Sequence, residues 1–480
     1  MERRTKIVAT VGPASDSAAM LRAMVAAGMD MARLSLSHGT VEDTLARIDG
    51  VRAAAAAEGR IVGVLADLPG PKIRAAEFPD GGVHLAEGST ALLVPAQSGD
   101  RSDGGHISVD LPTLLGDVRR GDLIGLGDGA IQLTVDDVTT EYAAATVVSG
   151  GWAQGRPGVT LPPGRATLSS PTAQDLVLLD ALAGKADAVA VSFVRSAADV
   201  ERARAAAGAH APMLVAKIET QEAVDAVEQI IAVADAVMVA RGDLGIRCAL
   251  EDVPHYQKHI IRTGVAYGRP VITATQMLES MVRAPTPTRA EVSDIANAVF
   301  DGTSALMLSG ETAIGHDPVN AVRTMARIAR RAEEDFDYER WGRNLGRQQS
   351  GAVDAVAGHD RITAAVSAAG WRAALDADVA AIVACTNSGA TARAISRFRP
   401  AVPVLAATPS ERTARQLSMA WGITALLADR HGTTDEIVRF AVKAAVAAGV
   451  VEPGDLVAVL VGSPTDPDPA TDTLRIVRVH

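Results

Sequence analysis

The sequence predicts an α/β fold: a (β/α)8 barrel that carries an inserted small β-barrel domain and is followed by an open α/β domain. Short apolar runs alternate with longer Ala-rich helical segments, which is typical of βα units around a parallel sheet. Eight such runs occur before residue 310, and eight parallel strands close a barrel of the TIM type. A long segment with a different pattern separates the third run from the fourth.

The eight predicted barrel strands are short, apolar and rich in β-branched or small residues. The later ones lie roughly 25 to 35 residues apart, about the length of one βα unit. They are Lys6–Thr10, Met31–Leu36, Ile61–Ala66, Ala188–Phe193, Met213–Ile218, Ala236–Ala240, Val271–Ala274 and Ala305–Leu308. We expect residues 1–71 and 166–337 to form the barrel domain.

The interrupting segment, 72–165, is predicted to be the inserted β domain. It has turns at Asp80–Gly82 and Gly127–Gly129 between short alternating runs such as Ile131–Val135. A structureless loop of this length would be uncommon. A small β lid domain over the barrel is therefore the better interpretation.

The C-terminal part, 338–480, begins with a charged stretch at Arg340–Gln349 that is typical of a connector. A fresh alternation of helices and strands follows, which predicts a separate open α/β domain. The strands expected there are Val379–Ala384, Val402–Ala406 and Leu456–Val461.

Composition narrows the functional classes. A formal net charge of -11 argues against a nucleic-acid partner, which requires a basic face. Two cysteines exclude a disulfide framework. We expect a cytoplasmic protein without a membrane partner, because the N-terminus lacks an apolar signal core and no apolar run is long enough to span a bilayer.

Polar residues follow seven of the eight predicted strands. Barrel enzymes carry their active sites at the carboxyl ends of the strands, so this ring predicts a site there. It consists of Arg33, Ser35, Ser37, Asp67, Ser192, Lys217, Glu219, Arg241, Gly242, Asp243, Thr275 and Glu311.

Two carboxylates in this ring, Glu219 and Asp243, end adjacent strands and could share one Mg²⁺. Arg33, Arg74 and Lys217 would place positive charge around the same point. Phosphoryl transfer needs this combination, because its catalysis consists mostly of positioning and charge neutralisation. Taken singly, each carboxylate is equally compatible with a helix cap or a surface salt bridge.

Several ordered motifs resemble those of the pyruvate kinases, over the whole length of the chain. They are Thr5–Ser15 (TKIVATVGPAS), Ala32–Gly39 (ARLSLSHG), Val215–Glu222 (VAKIETQE), Met238–Gly245 (MVARGDLG), Ala274–Met281 (ATQMLESM), Pro287–Asp294 (PTRAEVSD) and Leu308–Thr312 (LSGET). The resemblance implies transfer of the phosphoryl group of phosphoenolpyruvate to ADP, giving pyruvate and ATP in glycolysis. It also implies Mg²⁺ or Mn²⁺ as cofactor and a homotetramer.

The same resemblance implies roles for five catalytic and substrate-binding residues. Arg33 would hold the phosphate of phosphoenolpyruvate, and Lys217 would stabilise the phosphoryl group in flight. Glu219 and Asp243 would bind the metal, with backbone groups of Gly242 and Asp243 at the pyruvate carboxylate. Thr275 would lie beside the methylene carbon and help the enolate to acquire its proton.

Nucleotide contacts are implied for Arg74 and Arg156, with His38 nearby. Asp128 stands where the family usually shows paired aspartates, so one carboxylate is missing here.

The main departure from the family concerns potassium. Potassium-dependent members usually read Asp-Thr-Lys-Gly-Pro-Glu-Ile-Arg after the third strand, whereas this chain has Asp67-Leu68-Pro-Gly-Pro-Lys72-Ile-Arg74. Ser35 also replaces the usual Asn, and Ser37 lies in the same region. We expect Lys72 to supply the charge of the monovalent cation, so that K⁺ is not required. The chain has six lysines against 40 arginines, so a lysine here suggests a need for a compact charge. A solvated hinge residue is the alternative.

An effector phosphate site is implied in the C-terminal domain, where a loop follows a strand and opens a helix. Its residues are Thr386, Asn387, Ser388, Gly389 and Thr391. Hydroxyl and backbone N–H groups at a helix start suit a phosphorylated allosteric effector, and an ordinary helix cap is as compatible with the sequence. Asn387 replaces a lysine of members that bind a sugar bisphosphate, which leaves the effector's identity open.

Two other functions share part of this pattern. A barrel that handles a magnesium-bound enolate, such as an aldolase or phosphoenolpyruvate mutase, would use Glu219 and Asp243 but needs neither the lid nor Lys217. A metabolite sensor that has lost catalysis should lack Lys217, Thr275 or a metal carboxylate, and this chain keeps all of them.

Overall fold

A closed barrel of eight parallel strands forms the centre of this computed structural model. The structure describes residues 3–127, 129–162, 164–165, 168–208, 211–352, 358–429, 432–463 and 470–480. The first three barrel strands alternate with two helices in the order β1 (Lys6–Thr10), α1 (Ala18–Ala27), β2 (Met31–Ser35), α2 (Val41–Ala57) and β3 (Gly63–Asp67). The helices begin at side-chain caps, Ser17 for α1 and a Thr40–Asp43 capping box for α2.

A separate β region follows β3 before the chain returns to the barrel. It contains β4 (Val83–Leu85), β5 (Thr90–Pro95), β6 (His106–Val109), α3 (Leu114–Asp117), β7 (Leu123–Leu126), β8 (Ile131–Val138), β9 (Ala143–Ser149), β10 (Gly151–Ala153) and β11 (Val159–Thr160). Six strands form one sheet in the order β11-β7-β8-β9-β5-β6, and β10 pairs with β4. This region has a hydrophobic core of its own, centred on residues such as Phe78, Ile124 and Val135.

The remaining barrel strands again alternate with helices. The elements are α4 (Ala173–Ala181), β12 (Ala188–Val191), α5 (Ala197–Ala207), β13 (Met213–Ile218), α6 (Gln221–Asp225), α7 (Val227–Val233), β14 (Ala236–Ala240), α8 (Arg241–Arg247), α9 (Val253–Ala266), β15 (Val271–Ala274), α10 (Arg289–Phe300), β16 (Ala305–Leu308), α11 (Gly310–Ala313) and α12 (Pro318–Glu334). The barrel closes in the order β1-β16-β15-β14-β13-β12-β3-β2. The predicted fold class is confirmed, and all eight predicted strands lie within two residues of the observed ones.

The C-terminal region forms an open five-stranded sheet flanked by helices. Its elements are α13 (Tyr338–Ala352), α14 (Gly358–Asp376), β17 (Ala381–Cys385), α15 (Ala390–Ser396), β18 (Val404–Thr408), α16 (Glu411–Gln416), β19 (Ile423–Leu427), α17 (Thr434–Ala447), β20 (Leu456–Val461) and β21 (Thr473–Arg478). The stretch expected to be a connector is helix α13. Two edge strands, β19 and the antiparallel β21, were not predicted. Both are partly exposed, and β21 also lacks the continuous apolar run of the central strands.

Alanine, methionine and branched aliphatic side chains fill the barrel interior, in keeping with the scarcity of aromatic residues in the sequence. One member of this interior cluster comes from outside the barrel. Met419, in a short 3-10 turn after α16, is fully buried among the inward-facing residues at the amino ends of the strands. The C-terminal region therefore closes that end, and the carboxyl end is left to carry a site.

Candidate active site

Four charged side chains form a buried network at the carboxyl ends of β2, β3 and β13. Nε of Arg33 donates to Oδ2 of Asp67 at 2.7 Å. Nζ of Lys217 lies 3.3 Å from Oδ1 of Asp67 and 2.9 Å from Oε1 of Glu219. The side chains of Asp67 and Glu219 are only 4% and 1% exposed, so these charges are compensated by one another and not by water.

The strand geometry explains why these residues meet. Lys217 and Glu219 are two positions apart at the end of β13, so both point to the same face, the barrel mouth. Ser35 on β2 is in register with Asp67 on β3, which brings the neighbouring strand ends to one level.

With Asp243 nearby, the network has three carboxylates for two cations, Lys217 and Arg33. Burial alone would raise the pKa of Asp67, but Lys217 and Arg33 outweigh it and hold that pKa below its usual value. Burial would lower the pKa of Lys217, but Asp67, Glu219 and Asp243 together raise it. Lys217 is therefore a permanent cation in this site.

Glu219 is the least compensated member. Burial raises the pKa of its carboxyl to about 7; Lys217 opposes this shift and Asp243 reinforces it. Oε2 accepts a hydrogen bond from the Phe193 backbone N–H at 2.6 Å. Oε1 is buried and accepts no well-directed hydrogen bond, although the ammonium of Lys217 lies beside it. The raised pKa of Glu219 therefore reflects an excess of negative charge at this end of the barrel.

The next two strand ends supply Gly242, Asp243 and Thr275. Gly242 and Asp243 lie in the first turn of α8, which starts directly at the end of β14. The backbone N–H of Gly242 donates to Oγ1 of Thr275 at 2.7 Å. A Cβ at position 242 would lie at an ordinary contact distance of 3.4 Å from that same hydroxyl oxygen, so the two groups are packed directly against each other.

The residues predicted for the monovalent-cation region lie around the end of β3. Ser35 is half-buried at the end of β2, and Ser37 is exposed in the loop that follows. The carbonyl of Leu68 accepts a hydrogen bond from Oγ of Ser192 at 2.7 Å. Lys72 is half-buried, and its backbone N–H closes a tight turn with the carbonyl of Gly70 at 2.8 Å.

The predicted nucleotide residues fall into two groups. Arg74 and Arg156 are neighbours in the β region between β3 and β12: Nη1 of Arg74 donates to the backbone carbonyl of Arg156 at 3.2 Å. Arg156 is half-exposed and lies 3.7 Å from Asp110. His38 is exposed in the loop between β2 and α2. Asp128 lies outside the described residues.

The predicted effector loop between β17 and α15 lines a cavity with an empty volume of about 1320 Å³, open to solvent. Oγ1 of Thr386 accepts from the Gly389 backbone N–H, and the Asn387 carbonyl accepts from Thr413 of α16. Thr391 is hydrogen-bonded through its hydroxyl to Thr471 at 2.7 Å. The described lining contains hydroxyl and amide groups and the carboxylate of Asp429, but neither lysine nor arginine.

Sequence reasoning located Ser192 and Arg241 at strand ends but gave neither a function. Oγ of Ser192 accepts from Nζ of Lys217 at 2.8 Å and so joins the charged network to Leu68. Arg241 donates to the carbonyls that follow β15. Only the positions of Ser192 and Arg241 at strand ends could have indicated these roles, because their contact partners Lys217 and Thr275 are distant in sequence.

The described residues contain neither a larger cluster of metal-ligating side chains nor a membrane-spanning helix. No group of three or more His, Cys, Asp or Glu side chains there could hold a metal ion, so a metal would depend on a smaller protein donor set. None of the helices in those parts of the chain is both apolar and long enough to traverse a bilayer.

Comparison with known proteins gives full-length matches. The family model described as pyruvate kinase, barrel domain, matches residues 2–322, and the one described as pyruvate kinase, alpha/beta domain, matches 364–477. A pyruvate kinase of Geobacillus stearothermophilus is 42% identical, over 99% of this chain and 80% of its own length. One from Clostridium acetobutylicum is 38% identical, over 99% of both chains. One from Staphylococcus aureus is 40% identical over 100% of this chain and 80% of its own.

Proposed function

The chain belongs to the pyruvate kinase family, and we propose how the residues at the carboxyl end of its barrel divide the work of the reaction. That reaction transfers the phosphoryl group of phosphoenolpyruvate to ADP and yields pyruvate and ATP in glycolysis. The aldolase, mutase and sensor alternatives are set aside by the same matches. The observation that carries the proposal is the buried network of Arg33, Asp67, Lys217 and Glu219.

Arg33 and Lys217 bind and stabilise the phosphoryl group. An oxygen of the ADP terminal phosphate attacks phosphorus, and the bond from phosphorus to the enol oxygen breaks, leaving the enolate of pyruvate. Negative charge is concentrated on the transferring group during this step. Two fixed cations stabilise it without reorganisation, because Asp67 already orients both of them.

A divalent cation, Mg²⁺ or Mn²⁺, fits Glu219 and Asp243. The support is Oε1 of Glu219, which is buried without a well-directed hydrogen bond, and the excess of three carboxylates, Asp67, Glu219 and Asp243, over the two cations Arg33 and Lys217. Two hard oxygen donors from the protein leave most positions to substrate oxygens and water, as is usual for Mg²⁺. When bound, the cation neutralises charge on substrate oxygens.

Thr275 assists proton uptake by the enolate, and the backbone of Gly242 and Asp243 contacts the substrate carboxylate. The Gly242 N–H donates a hydrogen bond to the oxygen of the Thr275 hydroxyl. Substrate binding therefore has to exchange this bond for new ones, which couples recognition of the carboxylate to release of the hydroxyl.

Arg74 and Arg156 contact the nucleotide phosphates, with His38 on the barrel side. Their adjacency in the β region supports a shared phosphate contact. Movement of that region as a lid would then carry both guanidinium groups toward the barrel mouth.

Lys72 replaces the monovalent cation, so that K⁺ is not required. The support is the position of Lys72 in a tight turn shortly after Asp67 and Leu68. Asp67 ends a strand that is in register with Ser35. A lysine ammonium is a compact charge that can occupy the place of a small cation.

The loop Thr386–Thr391 binds a phosphorylated effector in the cavity of the C-terminal region. The cavity volume and its hydroxyl lining support a polar ligand, and the lack of a lining lysine or arginine among the described residues favours recognition through hydroxyl and amide groups. We further propose a cytoplasmic homotetramer, with domain boundaries at 72, 166 and 338.

The test is pyruvate formation from phosphoenolpyruvate and ADP with Mg²⁺, in potassium-free buffer and after addition of K⁺. We expect equal turnover in both. The Lys72→Glu variant should turn over only with K⁺, and Lys185→Glu, which alters an exposed lysine, should behave as the parent. Strict potassium dependence of the parent would remove the role of Lys72 but keep the kinase activity. No turnover in either buffer would overturn the assignment of the residues at the barrel mouth.

A further inference from the structure

Thr275 and the next residue, Gln276, have backbone conformations that their side chains disfavour. Their φ angles are 70° and 53°, in the left-handed region that suits glycine. A β-branched residue such as threonine is a genuine outlier there, and such residues persist only where the surroundings hold them. Contacts with the surrounding structure must therefore stabilise the left-handed backbone conformation of Thr275 and Gln276.

Arg241 holds this segment through its carbonyl groups. Nη2 donates to the Thr275 carbonyl at 2.7 Å and approaches that of Gln276 at 3.4 Å, while Nε donates to the Ala274 carbonyl at 3.3 Å. One rigid guanidinium thus spans three consecutive peptide groups, which a more flexible cation could not do.

The guanidinium is itself fixed on its other side. Nη1 donates to Asp294 of α10 at 2.7 Å and to Oε1 of the buried Gln257 of α9 at 3.3 Å. The Arg241 side chain is only 10% exposed. It is therefore pre-oriented by two helices and presents its remaining N–H groups to the end of β15.

The contact with Ala274 has a particular consequence for the Thr275 hydroxyl. In this structure Oγ1 of Thr275 donates its proton to the Ala274 carbonyl at 2.6 Å. If that hydroxyl turned toward a substrate, the carbonyl would ordinarily lose its partner, and an unsatisfied buried acceptor is unfavourable. Nε of Arg241 already donates to the same oxygen, so the hydroxyl can leave without this penalty.

We propose that Arg241 is a positioning residue for the proton-transfer step: it holds Thr275 in its left-handed conformation and frees the Thr275 hydroxyl for the substrate. This inference rests on the role of Thr275 proposed above. Arg241 acts through Thr275, and its side-chain hydrogen bonds do not involve the metal carboxylates Glu219 and Asp243.

The readout is the exchange of pyruvate methyl protons with D2O, followed by NMR with Mg²⁺ present, because it reports proton transfer without phosphoryl transfer. Arg241→Met should slow exchange about 100-fold, the loss expected when a reacting group is displaced by an ångström. Arg241→Lys should recover about a tenth of the parent rate, since one ammonium can still reach one carbonyl. Mn²⁺ affinity, measured by electron paramagnetic resonance, should stay unchanged. Arg22→Met is the matched control, because Arg22 is 58% exposed and far from the site in the fold.

A double-mutant cycle with Thr275→Val separates positioning from a general structural effect. Once the hydroxyl is gone, Arg241→Met should cost little more, since the two residues act as one unit. Additive losses, or weakened Mn²⁺ binding in Arg241→Met, would overturn the inference. If Thr275→Val itself exchanges at the parent rate, the proposed role of Thr275 fails. If Thr275→Val is slow and Arg241→Met is not, only the role of Arg241 fails.

Discussion

The two ends of the barrel are made from the same eight strands but use their charges differently. At the amino end, Asp187 is 1% exposed and accepts from Arg415 and from the Val64 backbone N–H, so both carboxylate oxygens are bonded. At the carboxyl end, Oε1 of Glu219 is buried without a well-directed hydrogen bond. The buried carboxylate at the amino end has hydrogen-bond partners for both oxygens, whereas the one at the carboxyl end has an oxygen available to a ligand.

Backbone conformation follows the same division. The three left-handed non-glycine residues of the barrel, among those described, are Phe193, Thr275 and Gln276, and all follow the carboxyl ends of strands. The amino end is covered by the C-terminal region: Met419 enters the barrel core, and Ser418 bonds to the Gly63 backbone N–H at 3.1 Å. Backbone strain is thus concentrated at the carboxyl end of the barrel, where the candidate active site lies. Close packing and hydrogen bonds at the amino end contribute stability instead.

The largest expected effect is on catalysis at the carboxyl end. Lys217→Met should lower kcat about 10³-fold, because it removes a fixed cation from the charge-bearing step. Steady-state pyruvate formation measures this loss. Lys185→Met, on the exposed surface, should keep the parent rate. A kcat for Lys217→Met within tenfold of the parent would contradict the role of the buried network.

At the amino end a comparable change should affect stability and leave turnover intact. Met419→Ala should reduce the free energy of unfolding by about 3 kcal/mol, since the removed atoms leave a cavity in the barrel core. Urea unfolding followed by circular dichroism gives this value. Met419→Leu conserves the volume and should lose less than about 1.5 kcal/mol. Equal losses from both variants would mean that the site is not tightly packed.

Acid should destabilise the amino end through Asp30, which is bonded to Arg3 and Arg60 and to the Ile7 backbone N–H. Burial would raise the pKa of Asp30, but Arg3, Lys6 and Arg60 outweigh it and lower that pKa below 3.8. A lowered folded-state pKa contributes stability that is present above the unfolded value of 3.8 and is lost as pH falls through the folded one.

The corresponding variant is Asp30→Asn. It should lose about 2 kcal/mol at pH 7, because three cations then lack their carboxylate. Its stability should also change less between about pH 5 and pH 3 than that of the parent, because the unfolded-state pKa of an aspartate lies between these two pH values. Urea midpoints at several pH values provide the comparison, and parallel pH curves for the two proteins would refute the assignment.

The smallest expected effect is a gain at the strained end. Gln276→Gly should raise the free energy of unfolding by up to about 1 kcal/mol, because glycine adopts a positive φ without steric cost, offset in part by its greater unfolded entropy. The same variant should lower kcat modestly if a rigid segment is needed beside Thr275. Ala27→Gly, in a right-handed helix, is the matched control and should lose stability instead. A loss of stability in Gln276→Gly would mean that the left-handed pair is not strained.

The barrel and the residues at its carboxyl end follow from local patterns in the amino-acid sequence. Short apolar runs predict β strands even before the neighbouring strands are known. Eight such runs, each followed by a helix, are typical of a closed (β/α)8 barrel. The polar residues after those runs were found for the same reason, because the end of a buried strand is the first place where a charged side chain can be accommodated. Lys217 and Glu219 are two positions apart, so a strand necessarily places their side chains on the same face.

The contacts between these residues depend on how the elements pack in three dimensions. The contact between Lys217 and Ser192 joins different strands, and no local pattern specifies it. The edge strand β21 also depends on a neighbour, since its exposed pattern becomes a strand only by pairing with β20. Met419 lies 112 residues beyond Met307, yet both belong to one core cluster, because the C-terminal region folds back under the barrel. Packing between elements distant in sequence decides such contacts, and the order of residues along the chain does not encode them locally.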